Sequence, residues 1–331
     1  MAKTGTWRVE AAEPIFGEGQ PFAQCHASTL VELPGDMFLA AWFGGTHEKH
    51  ADVGIWLSRR ESGRWSPPIQ VAKVRPAAHW NPVLFAPPSG PVHLFFKVGD
   101  TIGGWETWLT TSADGGVSWS PPRELVPGDH GGRGPVKNKP IVLSDGTWLA
   151  PASVEPTVGG KKIWDAFTDR SSDGGRTWQA SAAVPLDHAA FVGPGLIQPT
   201  LWESDPGHVH MLLRSSAGAI YRSDSIDAGW VWSPPYRTGL PGNNSGIDLA
   251  KLADGALVLA FNPVDVKVRT PLSLAISRDN GATWTDRLDL ETAAGEYSYP
   301  AVIASGRGVA LTYTWNRTRI AFWKGRFESQ S

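Results

Sequence analysis

The segment Gly44-Gly45-Thr46-His47-Glu48-Lys49-His50-Ala51-Asp52 gathers two imidazoles, two carboxylates and an amine in a glycine-rich stretch. An imidazole gives and takes protons near neutral pH, so His47 is a candidate acid or base, with His26 as its companion. Further along stand Trp80, Asn81, Lys137, Lys139, Glu155, Gln198, Arg214, Asn244, Asp248, Arg269, Glu296, Tyr297, Tyr299 and Trp315. Guanidinium groups grip carboxylates bidentately, and indoles offer a flat surface to the apolar face of a ring. Such a set suits a small, anionic, ring-shaped ligand such as an acidic sugar. His47, His26 and Tyr299 would carry the chemistry, and the other residues would hold the glycan. His47, His50 and Asp52 are also metal-ligating types, but their spacing matches no established metal motif. No cofactor is therefore expected. Glu48 or Asp52, paired with Glu155 or Glu296, would offer the two carboxylates of glycoside hydrolysis.

Residues scattered over so much chain need a frame that returns them to one place. Trp7, Trp65, Trp119, Trp178, Trp232 and Trp284 recur at intervals of 58, 54, 59, 54 and 52 residues. Joining the chain ends gives a last interval of 54, so the period closes on itself. A closed period of short strands predicts an all-β, six-bladed propeller over residues 1–331, as a single domain. Gly5-Thr6-Trp7-Arg8-Val9-Glu10 would supply the strand that completes the last blade beside Arg319 to Phe327, closing the ring. Runs such as Ile141-Val142-Leu143-Ser144-Asp145-Gly146-Thr147-Trp148-Leu149-Ala150 read as hairpins of four-stranded blades.

Four tryptophans end the turn pattern S-x-D-x-G-x-[ST]-W, kept in full from Ser112, Ser171 and Ser277 and in part from Ser225. Its Asp and Ser can bond nearby backbone N–H groups, and its Gly supplies positive φ. These turns lie between the third and fourth strands of each blade, so the innermost strands begin at the opposite end. A count back from each tryptophan places His26, Asn81, Lys139, Gln198, Ser245 and Tyr299 around that mouth. Residues that differ from blade to blade favour one asymmetric site. A non-catalytic glycan-binding propeller would instead repeat similar pockets.

Composition narrows the partners. A net charge of −2 leaves no basic footprint for nucleic acid, and no apolar run is long enough for a membrane span. The only cysteine, Cys25, precludes an intramolecular disulfide. With no leader recognised, a cytoplasmic location is expected, or a secreted or periplasmic one if a leader has been removed.

The repeated turn resembles the Asp-box, or BNR repeat, of the sialidase-like propellers. Sialidase activity would need three arginines, a tyrosine nucleophile with its glutamate, and an aspartate acid/base. Arg214, Arg269 and Tyr299 match such parts, but Gln20 to Thr29, where the first arginine belongs, contains none. More specific stretches are His26-Ala27-Ser28-Thr29, Trp42-Phe43-Gly44-Gly45-Thr46, Trp80-Asn81-Pro82, Lys137-Asn138-Lys139-Pro140, Asn244-Ser245-Gly246-Ile247-Asp248 and Gly295-Glu296-Tyr297-Ser298-Tyr299-Pro300. They resemble a group labelled predicted neuraminidases, which is similar to lyases that split L-rhamnosyl-α-1,4-D-glucuronate. The resemblance implies β-elimination at a terminal linkage beside an acidic sugar, with exo-α-sialidase hydrolysis as the alternative. Those lyases are associated with seven blades, whereas the tryptophan period counts six.

Overall fold

Alternating apolar runs separated by Gly and Asp-Gly turns fold here into short antiparallel strands. The computed structural model describes residues 5–329. Among the described residues six sheets of four or five strands follow one another, one per tryptophan interval, with a separate two-stranded hairpin at Thr157–Val158 and Lys161–Lys162. Blade I holds Gln24–Leu33, Met37–Gly45 and Gly54–Glu61, with Arg64–Trp65 and Ile69–Ala72 forming a broken fourth strand. Blade II comprises His79–Phe85, Val92–Val98, Glu106–Ser112 and Arg123–Glu124, and blade III Ile141–Val142, Trp148–Val154, Asp165–Ser171 and Gln179–Ala180. Blade IV comprises Leu196–Asp205, His208–Ser215, Ala219–Ser225 and Tyr236–Pro241, and blade V Asp248–Lys251, Leu257–Phe261, Leu272–Ser277 and Thr285–Glu291. Among the described residues the one helical element is a 3-10 turn at Ile102–Gly104, and no helix is long and apolar enough to cross a membrane.

Blade VI closes the ring as the tryptophan period predicts. Tyr297–Ser305, Gly308–Trp315 and Arg319–Ser329 are completed by Gly5–Pro14, which pairs antiparallel from Gly5 opposite Ser329 to Pro14 opposite Ala321. Trp7 clamps the seam. Its ring packs edgewise on Trp323 and Phe327, and its Nε1–H donates to Asp286 O of blade V at 2.8 Å.

The cores lie between neighbouring blades. Leu39, Ile55, Leu57, Leu84, Leu94 and Phe96 fill the I–II interface. Val258, Leu272, Leu274, Val302, Val309 and Leu311 fill V–VI. The repeated turns cap these interfaces from one face. Ser112 Oγ donates to Asp114 Oδ1 and accepts Gly116 N–H, while Asp114 takes the N–H groups of Val117 and Ser118. The turns at Ser171, Ser225 and Ser277 repeat the serine-to-aspartate bond and the glycine N–H bond. Gly175 sits at φ 83°, and a Cβ there would lie 2.6 Å from the Trp148 ring, so both conformation and space demand glycine.

Candidate functional site

At the mouth opposite these turns the backbone repeats an unusual conformation. Ala27, Asn81, Lys137, Gln198, Asn244 and Tyr299, one per blade, all have φ between 41° and 67°. None is glycine, so each position costs on the order of 1 kcal/mol or more, and such strain gathers where a site needs side chains aimed. In blades I, II, IV and VI the residue falls at a break in the ladder between first and second strands. The count back from tryptophan, 39 residues in four blades but 38 to Asn81 and 34 to Gln198, reaches this ring at Asn81, Gln198 and Tyr299. It misses by one or two residues in the other blades, pointing to His26, Lys139 and Ser245 instead of Ala27, Lys137 and Asn244. Segments between mouth and turn differ in length, which a constant offset ignores.

Three of the six left-handed residues converge on one guanidinium. Arg214 Nη1 donates to Gln198 Oε1 at 3.0 Å and to Tyr299 Oη at 2.7 Å, and its Nε donates to Asn244 Oδ1 at 2.8 Å. The same guanidinium lies 5.6 Å from the Trp164 ring centroid and 5.7 Å from that of Tyr299. Arg269 approaches Tyr299 from another side, 5.6 Å from its centroid, and donates to Glu296 Oε1 at 2.5 Å and Ser298 Oγ at 3.2 Å. A third arginine, Arg317, shares Glu296 Oε1 at 2.9 Å and reaches Glu48 Oε2 at 2.5 Å. Its carbonyl accepts the N–H of Cys25 at 2.8 Å. Blade VI therefore supplies an arginine beside the blade I stretch, Gln20 to Thr29, that has none of its own.

His26 completes the cluster. It is 3% exposed, with its ring centroid 4.3 Å from that of Tyr299 and Nδ1 2.9 Å from Thr314 Oγ1. Burial, then the positive charges of Arg317, Arg269, Arg214 and Lys137, press its pKa well below the ordinary histidine value. The imidazole is neutral at physiological pH.

Other expected site residues are committed elsewhere. Lys139 Nζ donates to both oxygens of Asp248 and to Leu249 O, while Asp248 also accepts Thr200 Oγ1–H and Val302 N–H. That pair ties blades III to VI across the channel and leaves no valence for a ligand. Lys137 is buried, and its Nζ donates to Asn138 Oδ1, Ile247 O and Pro300 O; burial pushes its pKa down to about 7. Tyr297 is buried in the V–VI core against Trp315, which stands opposite it in the ladder, so neither joins Tyr299. The ladder break between Ser298 and Ala301 separates the two tyrosines, which two-residue strand spacing would put on one face. Trp80 is 2% exposed, its Nε1–H donating to Gly99 O, and its ring lies edge-on to Trp105. Asn81 is buried.

The His47 loop lies over the mouth differently from the expectation. His47 is exposed, with Nδ1 2.9 Å from Glu48 O, and its ring contacts His50. Glu48, through Arg317, is what links this loop to the cluster. His50 pairs with Asp52 at 2.8 Å, and no three metal-ligating side chains gather in a metal-holding arrangement among the described residues. Beside the loop opens a cleft of about 620 Å3 lined by Lys49, Trp80, Asp100, Ile102, Glu155 and Lys162, among others. Thr314 and Trp164 fell outside the site inferred from sequence, which held Glu48 only as a hydrolytic carboxylate and did not single out Arg317. Asn316-Arg317, both left-handed in a two-residue turn, is the one local signal that could have marked Arg317.

A family model described as BNR repeat-like domain matches residues 36–311. A protein of unknown function from Dyadobacter fermentans superposes with TM-score 0.78 at 16% identity, covering 97% of this chain and 99% of that one. NanB sialidase from Streptococcus pneumoniae superposes with TM-score 0.73 at 14% identity, over 95% of this chain and 69% of that one. Trypanosoma rangeli sialidase in complex with the inhibitor DANA gives 0.70 at 15% identity, over 96% and 58%. At such identities the likeness establishes the sialidase-like fold. No curated protein matches.

Proposed function

Since the chain belongs to the BNR repeat-like domain family, whose match spans most of this propeller, we propose that the mouth is the active site of a carbohydrate-active enzyme. It cleaves a terminal glycosidic bond beside a carboxylate-bearing sugar, by β-elimination of a rhamnosyl-α-1,4-glucuronate type of linkage. The supporting observation is the convergence of Arg214, Arg269 and Arg317 on Tyr299 and the neutral His26. Three guanidiniums suit a uronate carboxylate and stabilise the charge that builds on it as the C5 proton leaves. Tyr299 Oη moves the proton, and the Arg214 donor at 2.7 Å stabilises charge on that oxygen during transfer. His26, packed on the Tyr299 ring, positions it. His47, exposed and outside the cluster, keeps only a rim role in this scheme.

Tyrosine-nucleophile hydrolysis is the second reading, favoured by the arginines around a phenol in a sialidase-like fold. It needs a carboxylate to take the phenol proton. The side chains sharing Arg214 with Tyr299 are Gln198 and Asn244, amides with no such capacity. The readings separate on incubation with rhamnosyl-glucuronate oligosaccharides and with sialosides. Elimination yields an unsaturated uronate that absorbs in the ultraviolet. Free sialic acid without that absorbance would overturn elimination in favour of hydrolysis, and no product from either class would overturn both.

A further inference from the structure

Glu155 follows the second strand of blade III, where the chain leaves the sheet for the small hairpin of Thr157–Val158 and Lys161–Lys162. It is half-buried, with the Trp164 indole N–H, which has no other partner among the described residues, as its polar neighbour. Two hollows share Glu155 as a wall. One is the 620 Å3 cleft, and the other, of about 270 Å3, is lined by Ile102, Trp105, His130 and Val154. Trp164 and Arg214 both act on its carboxyl, and Arg214 is stacked on Trp164 and bonded to Tyr299. A carboxyl without an ion-pair partner among the described residues thus lies between the arginine cluster and a cleft large enough for a sugar.

Resting on the reading of the mouth as the site that cleaves beside a uronate, we propose that Glu155 is the general acid for the departing glycosidic oxygen and that the cleft receives the departing sugar. The substrate class becomes an oligosaccharide, whose uronate occupies the arginines and whose O4-linked sugar lies along Lys49, Asp100 and Lys162. Tyr299, as the phenolate, takes the C5 proton, and the C5–H electron pair forms the C4–C5 double bond. The C4–O4 bond breaks, and O4 takes the proton of the Glu155 carboxyl. An unsaturated uronate and a sugar bearing a free hydroxyl leave, and one proton returns from Tyr299 to Glu155 through water. Burial raises the Glu155 pKa, opposed by Arg214, Lys162 and the Trp164 hydrogen bond, which is the direction a proton donor needs.

The test compares Glu155→Gln with wild type on two uronates, one carrying a sugar at O4 and one carrying 4-nitrophenol. Nitrophenolate departs without protonation, so only the sugar substrate needs the acid. Expected is a fall in kcat of about 100- to 10,000-fold on the sugar substrate. On the nitrophenyl substrate kcat stays within about tenfold, because the proton-donating part of the acceleration is dispensable there. The alkaline limb of the wild-type pH–rate profile on the sugar substrate should also vanish in the variant. Equal losses on both substrates, or no loss on the sugar substrate, overturn the assignment of Glu155. If wild type cleaves neither, the proposed function itself falls, a result that does not depend on the variant. Should Glu155→Gln fail to fold, Glu155→Asp keeps the acid but withdraws it by one methylene, and the same selective loss, smaller in size, is expected.

Discussion

The residues that carry the proposed chemistry are arranged around one phenol. Tyr299→Phe removes the oxygen held by Arg214 and should lower kcat by about 100- to 10,000-fold, with little change in KM. Turnover of the Phe variant at the wild-type rate would exclude Tyr299 as the proton-transfer group. Arg317→Ala should act differently, because a guanidinium that grips the substrate carboxylate does so before and during reaction. A charged hydrogen bond of this kind contributes about 2–3 kcal/mol, so kcat/KM should fall about 100-fold, largely through KM. Steady-state kinetics on the uronate substrate separate the two patterns, and an unchanged KM would remove Arg317 from the clamp. His79 illustrates a residue whose burial matters for stability instead. Its Nε2 accepts Val74 N–H at 2.8 Å while Nδ1 lies 2.9 Å from Ala77 O, an arrangement that requires the neutral ring. Burial lowers its pKa to about 4. Between the ordinary histidine value and about 4 the unfolded chain takes up a proton that the folded chain refuses. Stability should therefore fall as pH drops through that window, by up to about 1.4 kcal/mol per pH unit from this residue, and level off below it. Urea midpoints measured from pH 7 to pH 4.5 should decline less steeply in His79→Gln, and parallel declines would refute the account.

At the scale of elements, the two ends of each blade serve different purposes. The turns capped by Ser and Asp satisfy their own backbone and press glycine against the neighbouring blade, with no side chain directed at the mouth. Ser112→Ala removes the acceptor for the buried Gly116 N–H and the donor to Asp114. It should lower stability by about 1–2 kcal/mol, as expected for an orphaned buried group. Turnover per folded molecule should be unchanged. Denaturant titration alongside active-site-normalised rates would test this, and lost turnover at full stability would move chemistry to the turn face. At the other end, left-handed residues trade backbone strain for aim, and three of them deliver polar side chains to Arg214.

The whole molecule is a ring whose closure depends on a strand from the opposite end of the chain. Gly5–Pro14 covers the outer edge of Arg319–Ser329, and Trp7 bridges to blade V. Deleting residues 1–12 should leave a long unpaired edge, which templates pairing between molecules. Light scattering and thermal melting should show aggregation and a lowered Tm, and an unchanged Tm would show that closure does not depend on this strand. Six similar blades meet at one mouth, but they contribute alanine, lysine, glutamine, tyrosine and two asparagines there, so the assembled surface has no six-fold symmetry and suits one asymmetric site.

The tryptophan period and the serine–aspartate turn were legible in the chain because both are local and repeat. Periodicity of short-range patterns is enough to specify blade number, strand content and the closing seam. Much of the arginine cluster was legible too, since Arg214, Arg269, Glu296 and Tyr299 lie in recognisable segments. Tertiary structure alone decided the rest. Arg317 stands beside blade I only because the ring brings the last blade against the first, 292 residues away from Cys25 in the chain. Tyr297 and Tyr299 have the same composition and strand parity, yet one is core and one faces the mouth because a bulge intervenes. Lys139 and Asp248 look like binding residues until the channel brings them within 2.9 Å of each other and spends both charges. Such long-range pairings depend on blade packing and bulge placement, which shift register by one or two residues, a change too small for a pattern of about 55 residues to record.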